Sequence, residues 1–255
     1  MLKKKSKLMA LITAISISTT LIAGCANNAS TQTGTSSEAK SSTEAKTEVA
    51  SVKTITGEDL VKQNSGKEKD KVLIIDVRSP EEYKAGHIPH AININIEGFE
   101  TRLNELEGLK DFPIILYCNS GNKSGQVAEI LVNKGFTNVS NADGVKKFQY
   151  DLVHYEDVRG AAFQKLIDTN KDIVLVDARE EAQVKEEGMI QGAINVPFNA
   201  VEANLDKLPK DKTIALYCNT GTKSAEVAKQ LEGLGYDKVV NSTEGVKEFS
   251  FPLVK

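Results

Sequence analysis

Apolar positions fall into three regimes along this chain. Residues 8–23 form one apolar run diluted by Ser and Thr, and residues 26–50 hold almost no large apolar side chain. Beyond that, short aliphatic runs alternate with stretches of helical period. The runs at 72–75 and 114–117 are continuous, which predicts strands buried on both faces of a mostly parallel sheet. Pro80-Glu-Glu-Tyr-Lys follows Ser79, so a helix starts there with Ser as its cap and Pro in its first turn. Residues 99–106 carry apolar side chains at helical spacing. Residues 123–134 place Val127, Ile130 and Leu131 on one face and stop at Gly135, and residues 224–234 do the same before Gly235. Strands alternating with helices predict an α/β fold with helices covering a parallel sheet.

The pattern occurs twice. Val72-Leu-Ile-Ile-Asp76-Val-Arg78 matches Ile173-Val-Leu-Val-Asp177-Ala-Arg179, and Gly86-His-Ile-Pro-His-Ala91-Ile-Asn93 matches Gly188-Met-Ile-Gln-Gly-Ala193-Ile-Asn195. Ile114-Ile-Leu-Tyr-Cys118-Asn-Ser-Gly-Asn-Lys-Ser124 matches Ile214-Ala-Leu-Tyr-Cys218-Asn-Thr-Gly-Thr-Lys-Ser224, and Gly144-Val-Lys-Lys-Phe148 matches Gly245-Val-Lys-Glu-Phe249. Two copies of about 100 residues indicate a duplicated domain, not a solenoid. The expected organisation is a leader at 1–24, a tether at 25–50, and domains at 51–150 and 151–255.

The leader begins with Lys3, Lys4, Lys5 and Lys7 before the apolar run, which is short for a bilayer span of about 20 residues. It ends in Leu21-Ile-Ala-Gly-Cys25, which resembles a lipoprotein signal-peptidase site. That resemblance implies cleavage before Cys25, acylation of Cys25, and anchoring on the extracytoplasmic face of the cell membrane by more than one acyl chain. The segment that follows cannot bury enough surface to fold and reads as a flexible tether.

Composition narrows the chemistry. A net charge of -3, with acidic and basic residues interspersed, gives no basic stripe for nucleic acid. The three cysteines, Cys25, Cys118 and Cys218, are too few for a disulfide scaffold. They make no zinc pattern with His87, His90 and His154, so no metal site is expected.

What remains is Tyr-Cys at the end of a buried strand, a polar loop with Gly, and Lys-Ser opening a helix, twice over. Successive N–H groups of such a loop can converge above the strand end, and the helix N-terminus adds unpaired N–H groups and partial positive charge. A sulfur at the first loop position is favoured as thiolate and becomes a nucleophile near neutral pH. The candidate catalytic residues are therefore Cys118 and Cys218. Asn119, Ser120, Gly121, Asn122, Lys123 and Ser124 are expected to bind substrate in the first copy, and Asn219, Thr220, Gly221, Thr222, Lys223 and Ser224 in the second. Lys123 and Lys223 add positive charge beside the cradle; Ser124 and Ser224 cap the helix or donate to an incoming anion. Two other readings stay open: both cysteines are inert core thiols, or they form a disulfide with each other. Asp76 with Arg78 and Asp177 with Arg179 read as structural pairs, His87 as a packing residue, and Tyr117 and Tyr217 as strand residues with bonded hydroxyls.

These elements, in this order and present twice, resemble the rhodanese family of sulfurtransferases in its tandem two-domain form. The resemblance implies sulfur transfer through a cysteine persulfide, from thiosulfate or a persulfide to a thiol or cyanide, with no cofactor. It also implies small sulfur-donor and thiol-acceptor substrates and a partner protein as a further acceptor. The alternative is a non-catalytic module on the same scaffold that carries persulfide sulfur or docks a partner. A phosphatase or arsenate reductase sharing the cradle would need an anion-clamping Arg where Ser124 and Ser224 stand. The family's usual loop Arg is Lys123 and Lys223, which bind an oxyanion as point charges without bidentate geometry. The usual Trp near the domain end is Phe148 and Phe249.

Overall fold

Hydrophobic runs with period-two side chains build the same sheet in both copies of this computed structural model, which describes residues 51–255. The expected leader, the expected lipidation at Cys25 and the expected tether fall outside the described residues. In the first copy β1 (Lys53–Ile55), β2 (Leu73–Asp76), β3 (Ala91–Asn93), β4 (Ile114–Tyr117) and β5 (Val139–Ala142) pair in the order β1-β5-β4-β2-β3. All of these pairings are parallel. The second copy contains β6 (Glu156–Val158), β7 (Ile173–Asp177), β8 (Met189–Ile190), β9 (Ile194–Asn195), β10 (Thr213–Tyr217), β11 (Val239–Ser242) and β12 (Leu253–Val254). There β6-β11-β10-β7-β9 repeats the parallel order, while β8 and β12 form a small antiparallel pair. The helices are α1 (Gly57–Gln63), α2 (Pro80–Lys84) and α3 (Asn122–Asn133), then α4 (Gly160–Thr169), α5 (Glu181–Glu187) and α6 (Thr222–Gly233). The chain thus adopts the expected α/β fold in two tandem domains.

Each sheet is buried on both faces, which is why its central strands read as unbroken apolar runs. On β2 and β4, Leu73, Ile75, Ile114 and Leu116 face Val127, Ala128 and Leu131 of α3. The alternate positions Ile74, Ile115 and Tyr117 pack with Leu60 of α1. Cys118 keeps the register of Ile114 and Leu116, so its side chain lies on the α3 face. Cys218 does the same with Ile214 and Leu216 against α6, while Tyr217 packs on the α4 side with Phe163. Both tyrosine hydroxyls accept backbone N–H groups, Tyr117 from Ile88 at 3.1 Å and Tyr217 from Ile190 at 2.9 Å.

Local signals place the helices closely. Ser79 and Glu82 form a reciprocal capping box at α2, with Pro80 in its first turn. Gly135 and Gly235 take the left-handed conformation that ends α3 and α6. The stretch expected as a helix at 99–106 is instead a run of 3-10 turns over Ile96–Leu106. Short polar side chains act locally here: Asn95 accepts from the Glu97 N–H at 3.2 Å, and Thr101 donates to the Gly98 carbonyl at 2.7 Å. Such bonds compete with regular α-helical pairing.

The domains meet at a polar junction around Asp157 of β6. His87 is fully buried, stacks on Tyr83 at 3.7 Å and sets Nε2 3.7 Å from Asp157 Oδ2. His90 is the one non-glycine with positive φ (64°) among the described residues, and its counterpart is Gly192 (82°). Its N–H donates to Asp157 Oδ2 at 2.7 Å, and its Nδ1 lies 2.9 Å from Asn64 Oδ1. Burial pulls the His90 imidazole from its ordinary 6.5 down to about 4, and the nearby Asp157 offsets this only in part. The folded state thus stays neutral where the unfolded chain takes up a proton. Stability should fall as pH drops from about 6.5 to about 4, by at most about 3 kcal/mol. His90→Gly, which installs the residue of the second copy, is expected to flatten that slope in urea denaturation at stepped pH. An unchanged slope would refute the assignment to His90.

Candidate active site

The cysteine sits where a strand must hand over to a helix within a few residues. In both copies the turn is made by a glycine in the left-handed region, Gly121 (φ 90°) and Gly221 (φ 79°), a conformation that favours glycine. It directly precedes α3 or α6, so the helix opens without a side-chain cap. Ser124 and Ser224, expected to cap the helix or to donate to an incoming anion, do not cap it. They are the third helical residues, fully buried, and turn inward to the sulfur. Ser124 Oγ lies 3.4 Å from Cys118 Sγ and Ser224 Oγ 3.5 Å from Cys218 Sγ. Capping is excluded because the face that carries these serines packs onto the strand end.

The Gly121 N–H donates to Cys118 Sγ at 3.1 Å. Burial of the Cys118 thiol opposes ionisation. The Ser124 hydroxyl and the N–H groups of Ser124, Ser120 and Gly121 more than offset it, and they hold the thiol below its ordinary value. Both cysteines are free, so they do not bridge to each other, and each exposes only 2% of its surface. Cys218 nonetheless forms part of the wall of an open cavity of about 520 Å³, shared with Ala178, Arg179, Phe198, Asn219 and Lys223. A buried sulfur at the wall of a solvent-connected cavity meets a small reagent without being freely exposed.

The other loop residues divide by role. Asn119 and Asn219 bond to side chains of α2 and α5. Asn119 Nδ2 donates to Glu82 Oε1 at 2.6 Å, and Asn219 exchanges amide bonds with Gln183 at 3.0 and 3.1 Å. The Asn119 amide is the main cause holding the Glu82 carboxyl below the usual range. Ser120, Thr220 and Thr222 are partly exposed around the turn, while Asn122 and Lys123 point to solvent. Lys223 lies in the cavity wall, paired with Glu226 at 3.0 Å and over the Phe198 ring at 4.1 Å. Its charge is thus shared with a carboxylate.

Residues outside the motif complete the cradle. Val145 and Lys146 donate their N–H groups to the carbonyls of Cys118 and Asn119 at 3.0 and 2.9 Å. Val246 and Lys247 do the same for Cys218 and Asn219 at 2.9 and 3.0 Å. Glycine begins each clamp because a Cβ at Gly144 or Gly245 would fall 2.5 or 2.3 Å from the cysteine carbonyl oxygen. Asn141 joins Ser124 Oγ (2.7 Å) to the Gly121 carbonyl (2.9 Å). Its counterpart Asn241 donates to Asp157 at 2.7 Å instead, and Ser224 turns to the Gly221 carbonyl at 3.1 Å. Repetition of Gly144 and Gly245 in the sequence marked the clamp; nothing local marked Asn141, whose role depends on a neighbouring strand.

Arg78 and Arg179 stand just behind the site. Each binds the preceding strand's aspartate through Nη2 at 2.7 Å, and the Gly86 or Gly188 carbonyl at 2.8 or 2.6 Å. Asp76 and Asp177 are fully buried. These pairs pin the strand ends as expected of structural pairs.

Comparison with known proteins agrees with this construction. The model of the rhodanese-like domain matches residues 58–149 and again 161–251. The thiosulfate sulfurtransferase PspE of Escherichia coli is 43% identical over 72 residues, covering 28% of this chain and 69% of its own. A sulfurtransferase of Allochromatium vinosum is 34% identical over 83 residues, covering 32% and 76%. A solved rhodanese with anions from E. coli is 39% identical, covers 32% of this chain and 96% of its own, and has a TM-score of 0.30. With two matched copies spanning most of its length, the chain belongs to the rhodanese-like domain family.

Proposed function

We propose that this protein is a sulfurtransferase that works at Cys118 and Cys218. The observation that carries the reading is the cysteine sulfur at a strand end, met by the Gly121 N–H and the Ser124 hydroxyl, in a motif the chain repeats around Cys218. The cysteine thiolate attacks the outer sulfur of thiosulfate or of a persulfide. The new S–S bond forms as the donor's own S–S bond breaks, and sulfite or a thiolate leaves with the electron pair. The anionic terminal sulfur of the cysteine persulfide then sits among the loop N–H groups, which stabilise charge already in place. A thiol or cyanide takes that sulfur and returns the thiolate, so no step requires a cofactor. Relatives named as thiosulfate sulfurtransferase and sulfurtransferase support this class of activity. Lys123 and Lys223 at the usual Arg positions favour a donor that needs no bidentate clamp, such as a thiol persulfide.

The same reading includes acylation at Cys25 and an extracytoplasmic, membrane-anchored position, supported by the lysine-rich leader and its Leu-Ile-Ala-Gly-Cys25 ending. Mass analysis after incubation with thiosulfate or a small persulfide tests the chemistry. Each cysteine is expected to gain sulfur, and Cys118→Ser or Cys218→Ser removes the gain from its own domain only. Binding of a partner with no sulfur gained at either cysteine would favour the docking module instead.

A further inference from the structure

The cradle around Cys218 is gripped from the other domain. Lys69, in the 3-10 turn Lys69–Lys71 of the first copy, exposes only 5% of its surface. Its Nζ donates to the Thr220 carbonyl at 2.5 Å and the Thr243 carbonyl at 3.0 Å, and lies 2.9 Å from Asp70 Oδ1. Thr220 stands in the middle of the sulfur-binding loop. Its carbonyl and the Gly221 N–H are opposite ends of one planar peptide unit. A cation held on the oxygen directs and polarises the N–H on the other side. In the first copy it is the matching Gly121 N–H that meets the cysteine sulfur.

The first copy has a lysine of its own near the matching turn. Lys147 Nζ lies 3.9 Å from where a Cβ on Gly121 would stand. Its counterpart in the Gly-Val-Lys-x-Phe repeat is Glu248, so the second copy has lost that cation. Lys69 arrives from the first domain, close enough to Glu248 to lower that carboxyl's burial-raised pKa. The same segment also walls the cavity at Cys218 with Gly66, Lys67 and Asp70.

We propose that Lys69 is a positioning residue for Cys218, a cross-domain cation that fixes the Thr220–Gly221 peptide of the loop that surrounds the sulfur. Reactivity at the second copy then depends on the first domain being docked. The inference rests on Cys218 being a reacting thiolate, as proposed above. Other titratable or charged groups around Lys69 are Asp70, the neutral His90, Arg159, Glu244 and Glu248. Those around Cys218 are Lys67, Asp70, Arg179, Glu180, Lys223 and Glu226.

The test is iodoacetamide alkylation of the full chain across pH, with Cys118 and Cys218 quantified as separate peptides from the same sample. Lys69→Met keeps the stem and removes the charge. It is expected to move the Cys218 profile to higher pH and slow its alkylation at pH 7 about ten-fold, a shift of one pKa unit. Cys118 in the same molecule should not change, which also reports that the chain is folded, and Lys69→Arg should restore most of the rate. An unmoved Cys218 profile overturns the proposal. So does an equal shift at Cys118, or a Lys69→Arg variant no better than Lys69→Met. Alkylation needs no sulfur donor. If Lys69→Met slows Cys218 alone while neither cysteine takes up sulfur, this inference stands and the sulfurtransferase reading falls.

Discussion

Gly245→Ala is expected to lower sulfur transfer through Cys218 about 100-fold while leaving transfer through Cys118 intact, because displacement of a reacting group by about 1 Å has that scale of effect. The added Cβ would stand 2.1 Å from the Asn219 carbonyl carbon and 2.3 Å from the Cys218 carbonyl oxygen. Both belong to backbone, so no side chain can swing aside. The carbonyls that Val246 and Lys247 hold must shift, and the cysteine shifts with them. Gly144→Ala should do the same to Cys118, where the corresponding distances are 2.3 and 2.5 Å. Gly98→Ala serves as the comparison, since its Cβ would meet only Thr101 Oγ1, at 3.9 Å. Rates measured in Cys118→Ser or Cys218→Ser backgrounds isolate each copy. Equal losses from all three alanine substitutions would mean that the clamp is not what positions the sulfur.

Asp76→Asn should cost about 3–5 kcal/mol, because breaking a buried ion pair leaves an uncompensated charge in the interior. Arg78 exposes 5% of its surface and would keep the remaining amide oxygen at position 76, the Gly86 carbonyl at 2.8 Å and a distant Tyr117 ring at 5.7 Å, but no carboxylate to balance its charge. Asp177→Asn should cost less, because Arg179 keeps a second carboxylate, Glu187, at 2.9 Å. For domains of about 100 residues each kcal/mol moves the midpoint by roughly 4–8 °C, so the Asp76 variant should melt on the order of 20 °C lower. Asp76→Asn combined with Arg78→Met should recover part of the loss, since removing both charges removes the uncompensated one. Calorimetry of the two single variants and the double variant decides it. A double variant no more stable than Asp76→Asn would show that the pair's charge is not the source of the cost.

What could be read in advance follows from how local each signal is. The aliphatic runs, the capping box at Ser79 and Glu82, and the stops at Gly135 and Gly235 act within a few residues, and they placed strands and helices closely. The Tyr-Cys-polar-Gly loop likewise marked the strand-end cysteines and the turn glycines of the candidate site. The serines at 124 and 224 were legible as polar groups near the sulfur. Their inward rotation was not, because it depends on which face of α3 and α6 meets the strand end. Asn141 and Lys69 act on partners far along the chain. Lys69 reaches a carbonyl 151 positions away and another 174 away, through a domain contact that no periodicity encodes. The 3-10 run at Ile96–Leu106 was hidden for the opposite reason. Apolar spacing there resembles an α-helix, while Asn95 and Thr101 bond to nearby backbone.

The central claim is that loop N–H groups and a serine hydroxyl hold a transferable sulfur on Cys118 and on Cys218. Intact-mass and peptide-mass analysis after exposure to thiosulfate or a small persulfide measures it directly. The account predicts one added sulfur on each cysteine and its complete loss on adding cyanide, with thiocyanate formed in equal amount. Two cysteines that remain unmodified with every donor, in a folded chain, would contradict it.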